Sequence, residues 1–419
     1  MKSGLAILSM GLALQAAAWT PNVAERNAGI KAGDLTPYFG RLTAWLDAKI
    51  ASDPAAINTA DLRALLKDPA FVSALSERHF MTKIWGSEKG LLGPLNAFLQ
   101  ADPKNKTFVA ALMASGELMD AVMLARTPSA MFARIDDSHS LNAADLEHWK
   151  QISFAYPESR KGLYQRLAIA TMLRPPGTGN RGAGMAATPE TPEARYRHFR
   201  DAHQRGELMP SFDDLSIWEL THVVSSGASN VDLAWGRKTV NAFSPQLRDG
   251  EKVVTLTSMM KYQGSQVPYS GFSTLLAGGG KCGPRSSFGV FINQAFGIPS
   301  IGVAQPQHAA VCWRDLDGKW QVGYGKSWSV SKVFDRYKMS GHEFLEKAAE
   351  RDSASFGRIE HIRWLAALIE RPNGPYLPPA DRRYAKLRAT TVMKLASSLS
   401  VHKNARIQAQ VFSGPKPDQ

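Results

Sequence analysis

The sequence predicts an α+β protein in which a small antiparallel sheet lies between two helical regions. Three features predict it. Apolar residues recur at helical spacing from about Pro21 to Leu173. Between Ser300 and Tyr324, short β-prone runs are separated by turn residues. Past Trp328 the helical spacing returns. At 419 residues the chain is long enough to bury more than one core.

The bulk composition, 44% apolar and 21% charged, is that of a globular protein and excludes wholesale disorder. The net charge of +13 and isoelectric point near 9.7 suit contact with an anionic surface such as a cell-envelope polymer. Lys and Arg are spread along the chain, so a solvated basic surface explains the same numbers. No recognition-helix motif or zinc-finger spacing supports nucleic-acid binding. The N-terminus reads as a secretory signal peptide over residues 1–18. Lys2 is its positive end, Leu5 to Leu14 its apolar run and Ala16-Ala17-Ala18 its cleavage signal. A secreted or periplasmic protein starting near Trp19 follows, and no stretch approaches the ~20 apolar residues of a transmembrane helix.

In chain order, residues 19–173 are expected to form a helical domain. Phe39, Leu42, Leu46 and Ile50 mark one helix. Asn58 or Thr59 caps another, Asp68-Pro69 starts a third, and Asn142 opens a fourth. Residues 174–190 read as a Gly/Pro-rich linker. Their G-x-G-x-x-G lies between Pro175-Pro176 and a Thr/Pro loop, not between strand and helix, which excludes a dinucleotide site. A core over 191–335 follows. Thr191-Pro192 starts one helix that stops at Gly206, Ser216 and Glu219 form a capping box, and a further helix spans Val231 to Phe243. Trp218, His222 and Trp235 either line a cleft or belong to the core. C-terminal helices are expected over 336–412, the last of them basic from Arg382 to about Val401, and a tail over 413–419.

The chemistry concentrates at Gly278-Gly279-Gly280-Lys281-Cys282-Gly283-Pro284. Gly271 to Gly280 reads as loop, and a helix starts at Cys282, runs through Phe288, Phe291 and Ala295, and stops at Gly297. The glycine run lacks the residues of a phosphate loop at Leu275 and Cys282. Strands are expected at Ser300–Ala304, at His308–Arg314 and, after an Asp315–Gly318 turn, at Lys319–Tyr324. A cysteine at a helix start faces unpaired N–H groups, which favour thiolate, and Lys281 and Arg285 add positive charge. The Cys282 N–H can donate to a developing oxyanion, with Gln266 a second candidate donor.

Gly280-Lys281-Cys282-Gly283, the helix end Ala295-Phe296-Gly297-Ile298-Pro299, His308-Ala309-Ala310-Val311 and the Gly318-Lys319-Trp320 turn together resemble the transglutaminase-like superfamily of the papain-type fold. The resemblance covers about residues 271–328. It implies a Cys-bearing helix packed on an antiparallel sheet and a Cys–His–Asp triad attacking a protein or peptide-like amide. Cys282 would be the nucleophile and His308 the general base and acid, and the thioester would pass to water or to an amine. No cofactor and no metal are implied. The third position departs from the family, because Trp320 to Lys326 contains no carboxylate. Tyr324, Gln305 and Asp335 are the candidates to orient the imidazole.

Cys312 is the only other cysteine. If it shares a strand with His308, about 13 Å separates them. A disulfide needs Cα atoms within ~7 Å, so a Cys282 paired with His308 leaves Cys312 a reduced, buried strand residue. The competing expectation is a catalytically degenerate core that binds or scaffolds an anionic cell-envelope polymer.

Overall fold

A computed structural model describes residues 19–50, 63–84, 92–125, 143–177, 190–243, 271–305, 308–315, 317–323, 332–333, 348, 351 and 355–369. The signal peptide, the Asn58/Thr59 and Asn142 caps, most of the linker, Gln266, Tyr324, Asp335, the basic C-terminal helix and the tail lie outside these residues. The protein is α+β. It divides into two compact units, Met1–Leu124 with Ser140–Ala144 and Asp352–Asn404, and Ala125–His139 with Asp145–Arg351 and Ala405–Gln419. This cuts the chain differently from the expected domains. The helices from Asp145 to Leu173 go with the sheet unit, and the helix at Phe356 goes with the N-terminal helices.

The first unit contains α1 (Val23–Ala32), α2 (Thr36–Ile50), α3 (Pro69–Ile84), α4 (Gly93–Ala101), α5 (Pro103–Met113) and α6 (Gly116–Ala125). Phe39, Leu42, Leu46 and Ile50 are buried, as their spacing predicts. The Asp68 carboxylate accepts from the Ala70 N–H at 2.9 Å, and Pro69 opens α3. The helix over Phe356–Ile369 packs on α3, with Ile359, Ile362, Leu365 and Leu368 inside. Among the described residues no single helix is long and apolar enough to cross a membrane.

In the second unit α7 (Ala143–Ala155) and α8 (Gly162–Leu173) lead to α9 (Pro192–Gln204), α10 (Ile217–Val224) and α11 (Asn230–Phe243). The predicted starts are present. Thr191 Oγ1 accepts from the Ala194 N–H at 3.2 Å, and Ser216 and Glu219 complete a reciprocal capping box. Gly271–Gly280, expected as loop, contains a helix, α12 (Phe272–Gly278). The Thr274 hydroxyl donates to the Gly271 carbonyl, and Phe272 stacks on Phe291 with ring centroids 3.8 Å apart. Tertiary burial holds this helix, which is too short to persist alone.

Next come α13 (Cys282–Ala295), β1 (Ser300–Gln305), β2 (His308–Arg314), β3 (Trp320–Gly323) and β4 (Lys332–Val333). The sheet order is β3-β2-β1-β4, and every neighbouring pair is antiparallel. Five consecutive β2 residues, Ala309 to Trp313, are buried, which makes this the central strand of the unit's core. Asp315 makes the β2–β3 turn: its N–H donates to the Lys319 carbonyl at 2.8 Å, and Gly318 takes φ +83°. The sheet and α13 pack face to face and position the candidate site.

Candidate active site

Cys282 is the first residue of α13 and Lys281 its N-cap, with extended backbone. The first bond of the helix runs from the Arg285 N–H to the Lys281 carbonyl at 3.1 Å. The N–H groups of Cys282 and Gly283 therefore precede the helical ladder, and Pro284 has none to offer. Such an end presents its dipoles to an anion beside residue 282. Cys282 is half-buried. Behind it, Gly279 takes φ +72°, and it and Gly280 are buried where the chain passes from α12 to α13. A Cβ added at Gly283, the next residue of the first turn, meets no atom of the described residues within 4 Å.

The other end of α13 is fixed. Gly297 at φ +78° closes it: the Gly297 N–H donates to the Gln294 carbonyl at 3.0 Å and the Ile298 N–H to the Asn293 carbonyl at 2.9 Å. This is the paired bonding of a Schellman end. The Gln294 side-chain amide donates to the Ser300 carbonyl at 3.1 Å and the His222 carbonyl at 2.8 Å, both buried. Ser300 Oγ donates to the Cys312 carbonyl at 3.0 Å. Arg237 Nη1 donates to the Ala295 carbonyl at 2.7 Å while its Nε pairs with Glu207 at 3.0 Å. A cation at a helix C-terminus complements the dipole.

β1 starts beside the last turn of α13, where the Gln294 amide holds Ser300. The far end of β1 is Gln305. There Gln305 pairs in register with His308, the first residue of β2. Cys282 thus opens the helix, and His308 the strand, that pack on one another. Of the three candidates for the orienting role, Gln305 is the one among the described residues, directly opposite His308 in the ladder.

Cys312 is a free thiol near the middle of β2, fully buried, with its pKa pushed well above the ordinary thiol value by burial alone. Cys282 is likewise free. His222 and Trp218, which the sequence left between cleft and core, are core. His222 is fully buried, its edge meets the Trp218 and Trp320 rings, and its Nδ1 accepts from Arg174 Nη1 at 3.0 Å. Burial, with the Arg174 and Arg351 cations, holds its pKa well below the usual imidazole range. Trp235 is half-buried and lies parallel to Phe291. Among the described residues no group of three His, Cys, Asp or Glu side chains could hold a metal ion.

Sequence reading missed Gln294, which reaches the distant His222 carbonyl as well as Ser300, and Arg237, whose partners lie far away in the chain. Glu219 was legible as a cap. Its second role, an ion pair with Arg314 of β2 that ties α10 to the sheet, was not.

Fold and site define an α+β protein with a half-buried thiol at the start of a helix that packs on a small antiparallel sheet. No protein-family model matches the chain, and no curated protein and no solved structure is similar to it.

Proposed function

We propose that the protein is an exported thiol-dependent enzyme that cleaves or transfers an acyl group held in an amide, on a transglutaminase-like core. The observation that carries the reading is that Cys282 is the first residue of α13 and His308 the first residue of β2, the strand that packs on that helix. The open space at Gly283 supports it, since a substrate carbonyl needs access to the thiol and to the backbone N–H groups. In this scheme the Cys282 sulfur attacks the carbonyl carbon, and the Cys282 N–H donates to the oxyanion. The C–N bond then breaks, the amine leaves with the proton carried by His308, and a thioester remains. Water or a second amine attacks the thioester, His308 accepts its proton, and the thiol is released. The substrate class is a protein or peptide-like amide.

The net charge of +13 favours a second reading, a catalytically silent core that binds an anionic cell-envelope polymer. Peptide p-nitroanilides and a fluorescent amine donor separate the two. The enzyme reading expects turnover that Cys282→Ala and His308→Ala each abolish with unchanged folding. Salt-sensitive polymer retention unaffected by Cys282→Ala, with no turnover of either substrate, overturns it.

A further inference from the structure

A second nucleophile–base–carboxylate array stands on α8, α9 and the short 3-10 helix Pro210–Asp214, and it involves neither Cys282 nor His308. The Tyr164 hydroxyl lies 2.9 Å from His203 Nδ1. The other ring nitrogen, Nε2, lies 2.5 Å from Asp213 Oδ1. Three elements separated in the chain by 39 and 10 residues are joined in one line. When Nε2–H donates to the carboxylate, Nδ1 is left as the acceptor for the phenol O–H. The carboxylate therefore fixes the tautomer in which the imidazole can take a proton from tyrosine.

The surroundings hold the array in place while leaving it open. Phe212 packs on the His203 ring with centroids 5.8 Å apart, and Arg166 donates to the Asp213 and Leu215 carbonyls, which fixes the 3-10 helix. Tyr164 is half-buried, and the side chains of His203 and Asp213 are 28% and 60% exposed, so the array lies at the protein surface. Partial burial raises the Tyr164 pKa, offset in part by a hydrogen bond from Gln204. Such a phenol needs a base to react, as a serine does in a triad. Glu158 and Asp213 act on Tyr164 electrostatically and the Arg200 cation opposes them, so charges of both signs surround the hydroxyl and neither sign selects an ionic substrate.

We infer that Tyr164, His203 and Asp213 form an esterase-like acyl-transfer site for uncharged carboxylic esters. The Tyr164 oxygen bonds to the acyl carbon while His203 Nδ1 takes the phenolic proton. The ester C–O bond breaks, and the alcohol leaves with that proton. Water then attacks the acyl carbon while His203 takes one of its protons, the bond from the Tyr164 oxygen to the acyl carbon breaks, the phenolate takes that proton from His203, and a carboxylic acid leaves.

The test uses the full chain carrying Cys282→Ala, which leaves only the buried Cys312 thiol, so the result does not depend on the role proposed for Cys282. The probe is p-nitrophenyl acetate, with nitrophenolate release followed by absorbance and the acylated residue located by peptide mass spectrometry. The site should be acetylated at least about tenfold faster than any other tyrosine, and His203→Ala should remove that advantage. Asp213→Asn, which keeps the shape and a hydrogen-bond acceptor, should lower the rate with an unchanged unfolding midpoint. Tyr164 acetylated no faster than the remaining tyrosines, or at a rate indifferent to His203→Ala in folded protein, overturns the inference.

Discussion

The side-chain amide of Gln294 donates to the Ser300 carbonyl at 3.1 Å, which locks the last turn of the Cys282 helix to the first residue of β1. From that lock β1 runs to Gln305, which pairs with His308 in the ladder. Gln294→Leu removes the donor and leaves the buried His222 and Ser300 carbonyls short of a partner. It should cost about 1–3 kcal/mol of stability, read from the urea midpoint. A midpoint equal to wild type would show that the lock is not what holds α13 to the strand.

Gly297 is a point where conformation and space both demand glycine. Its φ is +78°, and a Cβ there would stand 2.6 Å from Phe212 Cδ2. Gly297→Ala should lose about 2–4 kcal/mol, combining left-handed strain with overpacking. Adding Phe212→Leu should recover only the packing share. Full recovery in thermal melts would assign the whole effect to crowding.

Gly283 makes the opposite case. It lies in the first turn of α13 with open space where a Cβ would go. Gly283→Ala should leave stability unchanged or raise it by up to about 1 kcal/mol. On the proposed function it should raise KM for a bulky amide more than it lowers kcat. Unaltered kinetics would remove Gly283 from the substrate path.

Much of this was legible in the sequence because it is local. Ser216 with Glu219, Thr191 with Pro192, and Asp68 with Pro69 are caps whose partners lie within three residues, and each is found where its pattern placed it. The same holds for the start of the helix at Cys282, its stop at Gly297, and the limits of the His308–Arg314 strand. What was not legible depends on distant partners. The Phe272–Gly278 helix exists through stacking on Phe291, and the Gly-rich flank hid it. Arg237 carries no local signal, yet it joins Glu207, His198 and Ala295. The assignment of α7 and α8 to the sheet unit follows from packing that no composition shift marks.

Burial, with Arg237, Arg195 and Arg205 nearby, pulls the His198 pKa down to about 3 from 6.5. The unfolded chain therefore takes up this proton first as pH falls. The stability from neutral His198 is complete above about pH 6.5 and is lost between 6.5 and 3, at roughly 1.4 kcal/mol per pH unit. Urea unfolding at pH 7 and pH 4.5 should show a loss about 2–3 kcal/mol larger in wild type than in His198→Gln. Equal losses in the two proteins would mean that His198 is not buried in its neutral form.

The central claim is that Cys282 is a nucleophile served by His308, and the most direct test is the rate of alkylation by iodoacetamide at pH 6–7, followed by peptide mass spectrometry. The account predicts that native protein is alkylated at Cys282 several-fold faster than the denatured chain and that His308→Ala abolishes the advantage. Cys312, fully buried, should react only after unfolding. Cys282 reacting at the same rate in native, denatured and His308→Ala protein would contradict it.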